Sequence, residues 1–215
     1  FADARLRAAA TMELDVLGFF VVEGAFAFVK STESLTLSDG TGVDANAITL
    51  GASGVSAFAG LNGGTPEAVG LSLTDVDFAL ALLTDSADPA RKWIALQGSV
   101  GSAGLVGVDG LTISAETLGV DINRAAADGT VVDFAADPLE VLVGTGTTTV
   151  TLDMDGSAGE LLRAFGSLQL DVFGFFGAEG DFAFEKSSTS VLLADSTFVK
   201  ADLLTVGADN VSAFA

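Results

Sequence analysis

Residues 12 to 30 alternate. The even positions Leu14, Val16, Phe20, Phe26 and Phe28 are large and apolar, with Gly18 and Gly24 between them, while the odd positions include Glu13, Asp15 and Glu23. A period of two marks a strand with one dry and one wetter face. The pattern predicts that the even row is buried and the odd row more exposed. A slip of one residue would turn Phe20, Phe26 and Phe28 into water, so the register is tightly specified.

The pattern then returns. Leu14-Asp15-Val16, Gly18-Phe19-Phe20, Phe26-Ala27-Phe28 and Lys30-Ser31 reappear as Leu170-Asp171-Val172, Gly174-Phe175-Phe176, Phe182-Ala183-Phe184 and Lys186-Ser187, an offset of 170 − 14 = 156. Val55-Ser56-Ala57-Phe58-Ala59 returns as Val211-Ser212-Ala213-Phe214-Ala215 at the same offset. In the second copy Val21 becomes Gly177, Ala25 becomes Asp181 and Val29 becomes Glu185, while the even row stays apolar or Gly. The predicted core is therefore Leu14, Val16, Phe20, Phe26 and Phe28 with Leu170, Val172, Phe176, Phe182 and Phe184. Residues 1–156 read as one full repeat period and 157–215 as the start of the next, so the chain is expected to be an excerpt of a longer array.

A smaller unit recurs within the period. Leu71-Ser72-Leu73 followed by Val76-Asp77-Phe78-Ala79-Leu80 resembles Leu111-Thr112-Ile113 followed by Leu118-Gly119-Val120-Asp121-Ile122, and Ile48-Thr49-Leu50 followed by Val55-Ser56-Ala57-Phe58 is a third instance. Strands near 93–96 and 131–134 fall between. These spacings predict about eight units of twenty residues per period, the size of a β-solenoid coil. The predicted fold is all-β, a solenoid-like β-helix of short strands, with antiparallel β-sandwich modules as the alternative; parallel coils and stacked hairpins both give period two. Helix is expected only as a turn at 88–92, where Asp88 precedes Pro89, and at 159–165. Gly98–Gly104 reads as a flexible turn, Asp137-Pro138 as a turn start, and 144–149 as a turn entering a Thr-rich strand.

Composition narrows the function. The chain has nine Lys and Arg against 29 Asp and Glu, a net charge of −20, and no Cys or His. Nucleic acid is excluded as a partner by this charge. Disulfides and thiolate metal sites are excluded by the lack of Cys. No apolar run reaches spanning length, so no membrane insertion is expected. The opening 1–5 does not read as a signal peptide.

Aspartates cluster in turns, and calcium takes several hard oxygen ligands. Asp153 and Asp155, followed by Gly156, are the calcium candidates, although a third acidic ligand and a terminal Glu are missing. No other cofactor is expected. Asp75 and Asp77 form a carboxylate pair of the kind that hydrolyses sugars, and Gly98–Gly104 has the glycines of a phosphate loop without its Lys. For each, a tight turn or a solvated surface accounts for the residues as well.

The long period with Gly-Phe-Phe, the Val-Ser-Ala-Phe-Ala segment and the stretch 76–85 resemble the tandem repeats of very large bacterial secreted or cell-surface proteins, adhesins and relatives of the calcium-binding repeat exoproteins. The resemblance is one of style and implies an exported parent. The expectation is a structural repeat segment of an extracellular or cell-surface filament, adhesin-stalk-like and not an enzyme. It would associate end to end or with neighbouring repeats, and a glycan or cell surface is the other partner to consider. The alternatives are a glycan-binding β-sandwich adhesin module and a β-helical polysaccharide-active enzyme.

Overall fold

The computed structural model describes residues 5–215, so most of the opening 1–5 segment lies outside the described residues. The chain is all-β. Nine long strands form one antiparallel sheet: β1 (Leu6–Val16), β2 (Phe20–Thr36), β3 (Gly42–Leu61), β4 (Val69–Asp85), β5 (Lys92–Val106), β6 (Leu111–Arg124), β9 (Leu161–Val172), β10 (Phe176–Leu192) and β11 (Phe198–Phe214). They lie side by side in chain order, β1 to β6 and then β9 to β11. Between β6 and β9 the chain leaves the sheet as an insert, residues 125–160, holding the hairpin β7 (Leu139–Leu142) and β8 (Thr149–Leu152) and a 3-10 turn at Gly156–Ala158.

Every strand pairing is antiparallel between neighbours in this order. The strands are thus stacked hairpins, and the coils of a β-helix are not formed. The twenty-residue units have a different meaning. Each pair of short strands with a polar link is one long strand carrying an extra residue: β3 shifts register between Ala52 and Ala57, and β6 against β9 between Glu116 and Gly119. Asp75 and Thr117 take φ of 52° at these bulges, as does Gly54 at 59°. The extra residue steps the alternation by one, which bends the strand without ending it. Gly98–Gly104 lies inside β5, and 159–165 enters β9, so neither is the predicted turn or helix. Asp88 does begin a turn, accepting the Ala90 N–H at 3.0 Å.

The repeat is visible in the backbone. Leu17 and Phe173 have φ of 54° and 53°, Gly18 and Gly174 have 69° and 68°, and Gly54 is matched by Asn210 at 51°. Asp15 accepts the Gly18 N–H at 2.8 Å, and Asp171 accepts the Gly174 N–H at 3.1 Å. Strands β1, β2 and β3 are therefore equivalent to β9, β10 and β11.

The core lies on one face of the sheet, at the end where β2 turns into β3. There Leu35, Leu37, Leu83 and Trp93, with Ala45, Ala47, Ala79, Ala81 and Ala95, meet Val132, Phe134, Val141, Leu152 and Met154 of the insert. The alanines leave room for the large insert side chains to pack closely. Residues 131–134, expected as a strand of the array, belong to this insert; Val132 makes a single bridge to Leu37.

The predicted core is corrected by this arrangement. Leu14 is 53% exposed, Val16 and Phe20 are also exposed, as are Phe28, Phe176, Phe182 and Phe184, while Phe26, Leu170 and Val172 are half-buried. In β2 it is Ala27 and Val29 of the odd row that are buried. Alternation marks the apolar face of a strand; which face is covered was decided by the insert, whose path local pattern does not encode.

Candidate functional site: the joint between the copies

Strands β6 and β9 join the first copy to the second. They pair from Leu111↔Val172 to Asn123↔Leu161. On the insert-bearing face Asp121, with its side chain 4% exposed, accepts from Arg163 Nε at 2.8 Å and Nη2 at 2.5 Å. Both donors reach one carboxylate oxygen, a charge-assisted contact that fixes register as well as energy. The Arg163 guanidinium also stands 5.5 Å from the centre of the Phe165 ring. That ring lies over Gly119, where a Cβ would occupy its place. Asp121 and Gly119 come from one copy, Arg163 and Phe165 from the next.

The counterpart of Arg163 is Arg7, since 163 − 156 = 7. Arg7 lies on β1, whose outer edge has no strand beside it among the described residues. It donates instead to the carbonyl oxygens of Thr145 and Gly146 in the insert.

Beside the joint an open groove of about 620 Å³ is lined by Asp75, Asp77, Gln97, Asp121, Arg163 and Phe165, among others. The structure thus brings the predicted carboxylate pair Asp75 and Asp77 to one groove. Asp77 Oδ1 accepts the Gly54 N–H at 2.8 Å and so holds the β3 bulge. The glycines of the segment 98–104, expected as a flexible turn, serve packing within β5: a Cβ on Gly101 would lie 2.9 Å from that of Asp75.

The calcium candidates are engaged separately. Asp153 Oδ1 accepts from Gln97 Nε2 at 2.9 Å, and the Asp153 N–H donates to Gln97 Oε1 at 3.2 Å, clasping the insert to the sheet. Asp155 caps the 3-10 turn by accepting the Ser157 N–H at 2.7 Å. The Ser157 hydroxyl and then its amide hold the Asp155 carboxyl below the usual range. Among the described residues no group of three or more His, Cys, Asp or Glu is placed to hold a metal ion.

A second polar cluster pins the insert's edge. Arg91 donates to Asp85 at 3.0 Å, pairs with Asp128 at 2.8 Å and lies 5.2 Å from the centre of the Trp93 ring. Trp93 Nε1 donates to the Thr130 carbonyl at 3.1 Å. The Thr130 amide, followed by its hydroxyl and Arg91, lowers the Asp128 pKa. The Asp85 carboxyl is lowered first by the Ala87 amide, with Asp88 and Arg91 adding to it. Neither this cluster nor the Asp121–Arg163 pair was predicted from the sequence. The recurrence of Arg7 as Arg163 was the available signal for the latter.

Comparison of the chain with protein-family models, with curated proteins and with solved structures finds no match.

Proposed function

We propose that this chain is a structural repeat segment of an extended extracellular or cell-surface protein, stalk-like, in which one antiparallel sheet propagates sideways from copy to copy. The carrying observation is the β6–β9 joint, made from residues of both copies. The free edge of β1 is the edge that its equivalent β9 pairs with β6, and the free edge of β11 is the one that β3 pairs with β4. Each outer edge is thus one that the chain already fills internally, and a preceding or following copy carries the strand to fill it. No catalytic group is needed for this role; ladder hydrogen bonds carry it.

Six strands of the large sheet fall in one period. At about 4.8 Å per strand each added period widens the sheet by about 29 Å. Electron microscopy of chains extended by one and two further periods tests this. Particles that lengthen by that step at constant cross-section support the reading. Beads separated by constrictions would replace it with independent modules.

A further inference from the structure

The sheet has a second face, and no element among the described residues covers it. Strand register places Phe20 to Phe28 of β2, Val69 to Leu82 of β4 and Phe176 to Phe184 of β10 in apolar rows with no charged side chain on that side. Phe28, Ile48, Leu82, Ile94, Leu162 and Phe184 are all exposed there. A contiguous apolar face of this size is an association surface.

We propose that this face is closed by the same face of a second copy of the chain, forming a two-layer sandwich about a two-fold axis that runs across the strands between the sheets. The proposal goes beyond sideways propagation and does not depend on it. Three observations carry it.

The first is charge. At the insert end the face is bordered by the exposed cations Lys30, Lys92, Arg124 and Lys186, with Asp44 and Asp202 further out on the same side and Glu160 paired to Arg124 at 3.4 Å. The turns at the other end, residues 17–19, 62–68, 107–110 and 173–175, contain no Lys or Arg; Glu67 and Asp109 lie in them, and Asp15 and Asp171 just precede two of them. A two-fold axis across the strands lays the lysines of each border, Lys30, Lys92 and Lys186, over the turns of the other copy that carry Glu67 and Asp109. An isologous contact of this kind is self-complementary.

The second is area. Nine strands about 4.8 Å apart with an apolar length of about 30 Å give a footprint of about 1,300 Å² per copy. Stable interfaces need about 800 Å² per partner.

The third is stagger, which excludes the obvious rival, a membrane barrel. Following the paired row Leu14, Val22, Ala57, Leu73, Ala103, Ala115 and Leu168 across the sheet, Leu168 is the counterpart of Met12, since 168 − 156 = 12. The row slips two residues over six strands, a strand tilt of about 13° at 3.4 Å rise and 4.8 Å spacing. Barrels close at about 35–45°.

The test is sedimentation velocity on the full chain across concentration, with Ile94→Glu on the apolar face of β5, the middle strand of the nine, and Lys92→Glu at the border. The expected result is a dimer. Ile94→Glu should weaken it at least tenfold, since a desolvated carboxylate is costly. Lys92→Glu, a change at an exposed position, should weaken it about threefold at low salt and little at high salt. Carbodiimide coupling should link Lys92 of one copy to Glu67 or Asp109 of the other. A monomer at high concentration, a dimer indifferent to both substitutions, or flotation of the chain with phosphatidylcholine vesicles would each overturn the proposal.

Discussion

Gly51 and Gly207 hold the same place in the two copies, yet only Gly51 is roofed: a Cβ there would land on the Leu142 carbonyl and lie 2.8 Å from Val143 Cγ1, whereas one on Gly207 would meet nothing within 4 Å. The roof is the insert, which covers β2 to β5 and does not reach β11. The same contrast holds for Ala27, which is buried, and Ala183, which is exposed.

Gly51→Ala should therefore destabilise the chain by about 1–3 kcal/mol, since the β7 backbone has to move away. Gly207→Ala should change stability by less than about 0.5 kcal/mol. Urea unfolding of the two variants makes the comparison within one molecule. Equal effects would mean that β7 does not rest on Gly51.

Phe134 is fully buried and packs in the insert core with Trp93. Phe134→Ala should cost about 3–5 kcal/mol. Trp93 is the one Trp of the chain, so its fluorescence reports directly on the insert. A red shift at denaturant concentrations where the far-ultraviolet circular dichroism of the sheet persists would show the insert leaving first.

Breaking the joint should be asymmetric. Arg163→Met leaves Asp121 nearly buried with no partner and should cost about 1–3 kcal/mol, discounted because Arg163 is 45% exposed. Asp121→Asn leaves a solvated cation and should cost less. A double-mutant cycle on the two positions measures the coupling. A coupling energy near zero would remove the pair from the account of the joint.

Asp39 and Asp195, equivalent at the 156-residue offset, both have pKa values lowered from 3.8. For Asp39 the Thr41 amide is the main cause, and for Asp195 the Thr197 hydroxyl and then its amide. A carboxylate lowered in the folded state contributes stability that is fully present above its unfolded pKa and is lost as pH falls through the folded value. These turns, with Asp85, Asp128 and Asp155, should therefore hold at neutral pH and loosen only below about pH 4. Thermal unfolding between pH 7 and pH 2.5 should show that break. The double variant Asp39→Asn, Asp195→Asn should lessen it, leaving the part owed to Asp85, Asp128 and Asp155.

The strands, the period and the absence of long helices were legible in residues 12–30 and their return at 168–186, because alternation is a local property. The meander was not legible, since hairpins and coils produce the same alternation. Nor was the continuity of β3, β4 and β6, because Gly54, Asp75 and Thr117 look like turn residues in sequence and act as bulges in long strands. The buried face was misread for a different reason. Phe20, Phe26 and Phe28 are large and Ala27 is small, so residue size suggested a core where the structure has an open surface; a small residue under an insert is more deeply buried than a large one on an uncovered face. At the joint, Arg7 and Arg163 were matched as sequence, but their different partners depend on which strand lies beside them.

The meander's chain order has a mechanical consequence. A load applied at β1 and β11 runs parallel to the ladder hydrogen bonds, which lie across the strands. Such a load peels strands away one at a time from the outside, each step needing little force, and the roofed segment under the insert should be the last to yield. Paid out at about 3.4 Å per residue, one 156-residue period becomes about 530 Å of slack, roughly eighteen times its folded width. A surface anchored through such a sheet would be held by a compliant tether that absorbs a pull by lengthening and re-zips when the strain passes.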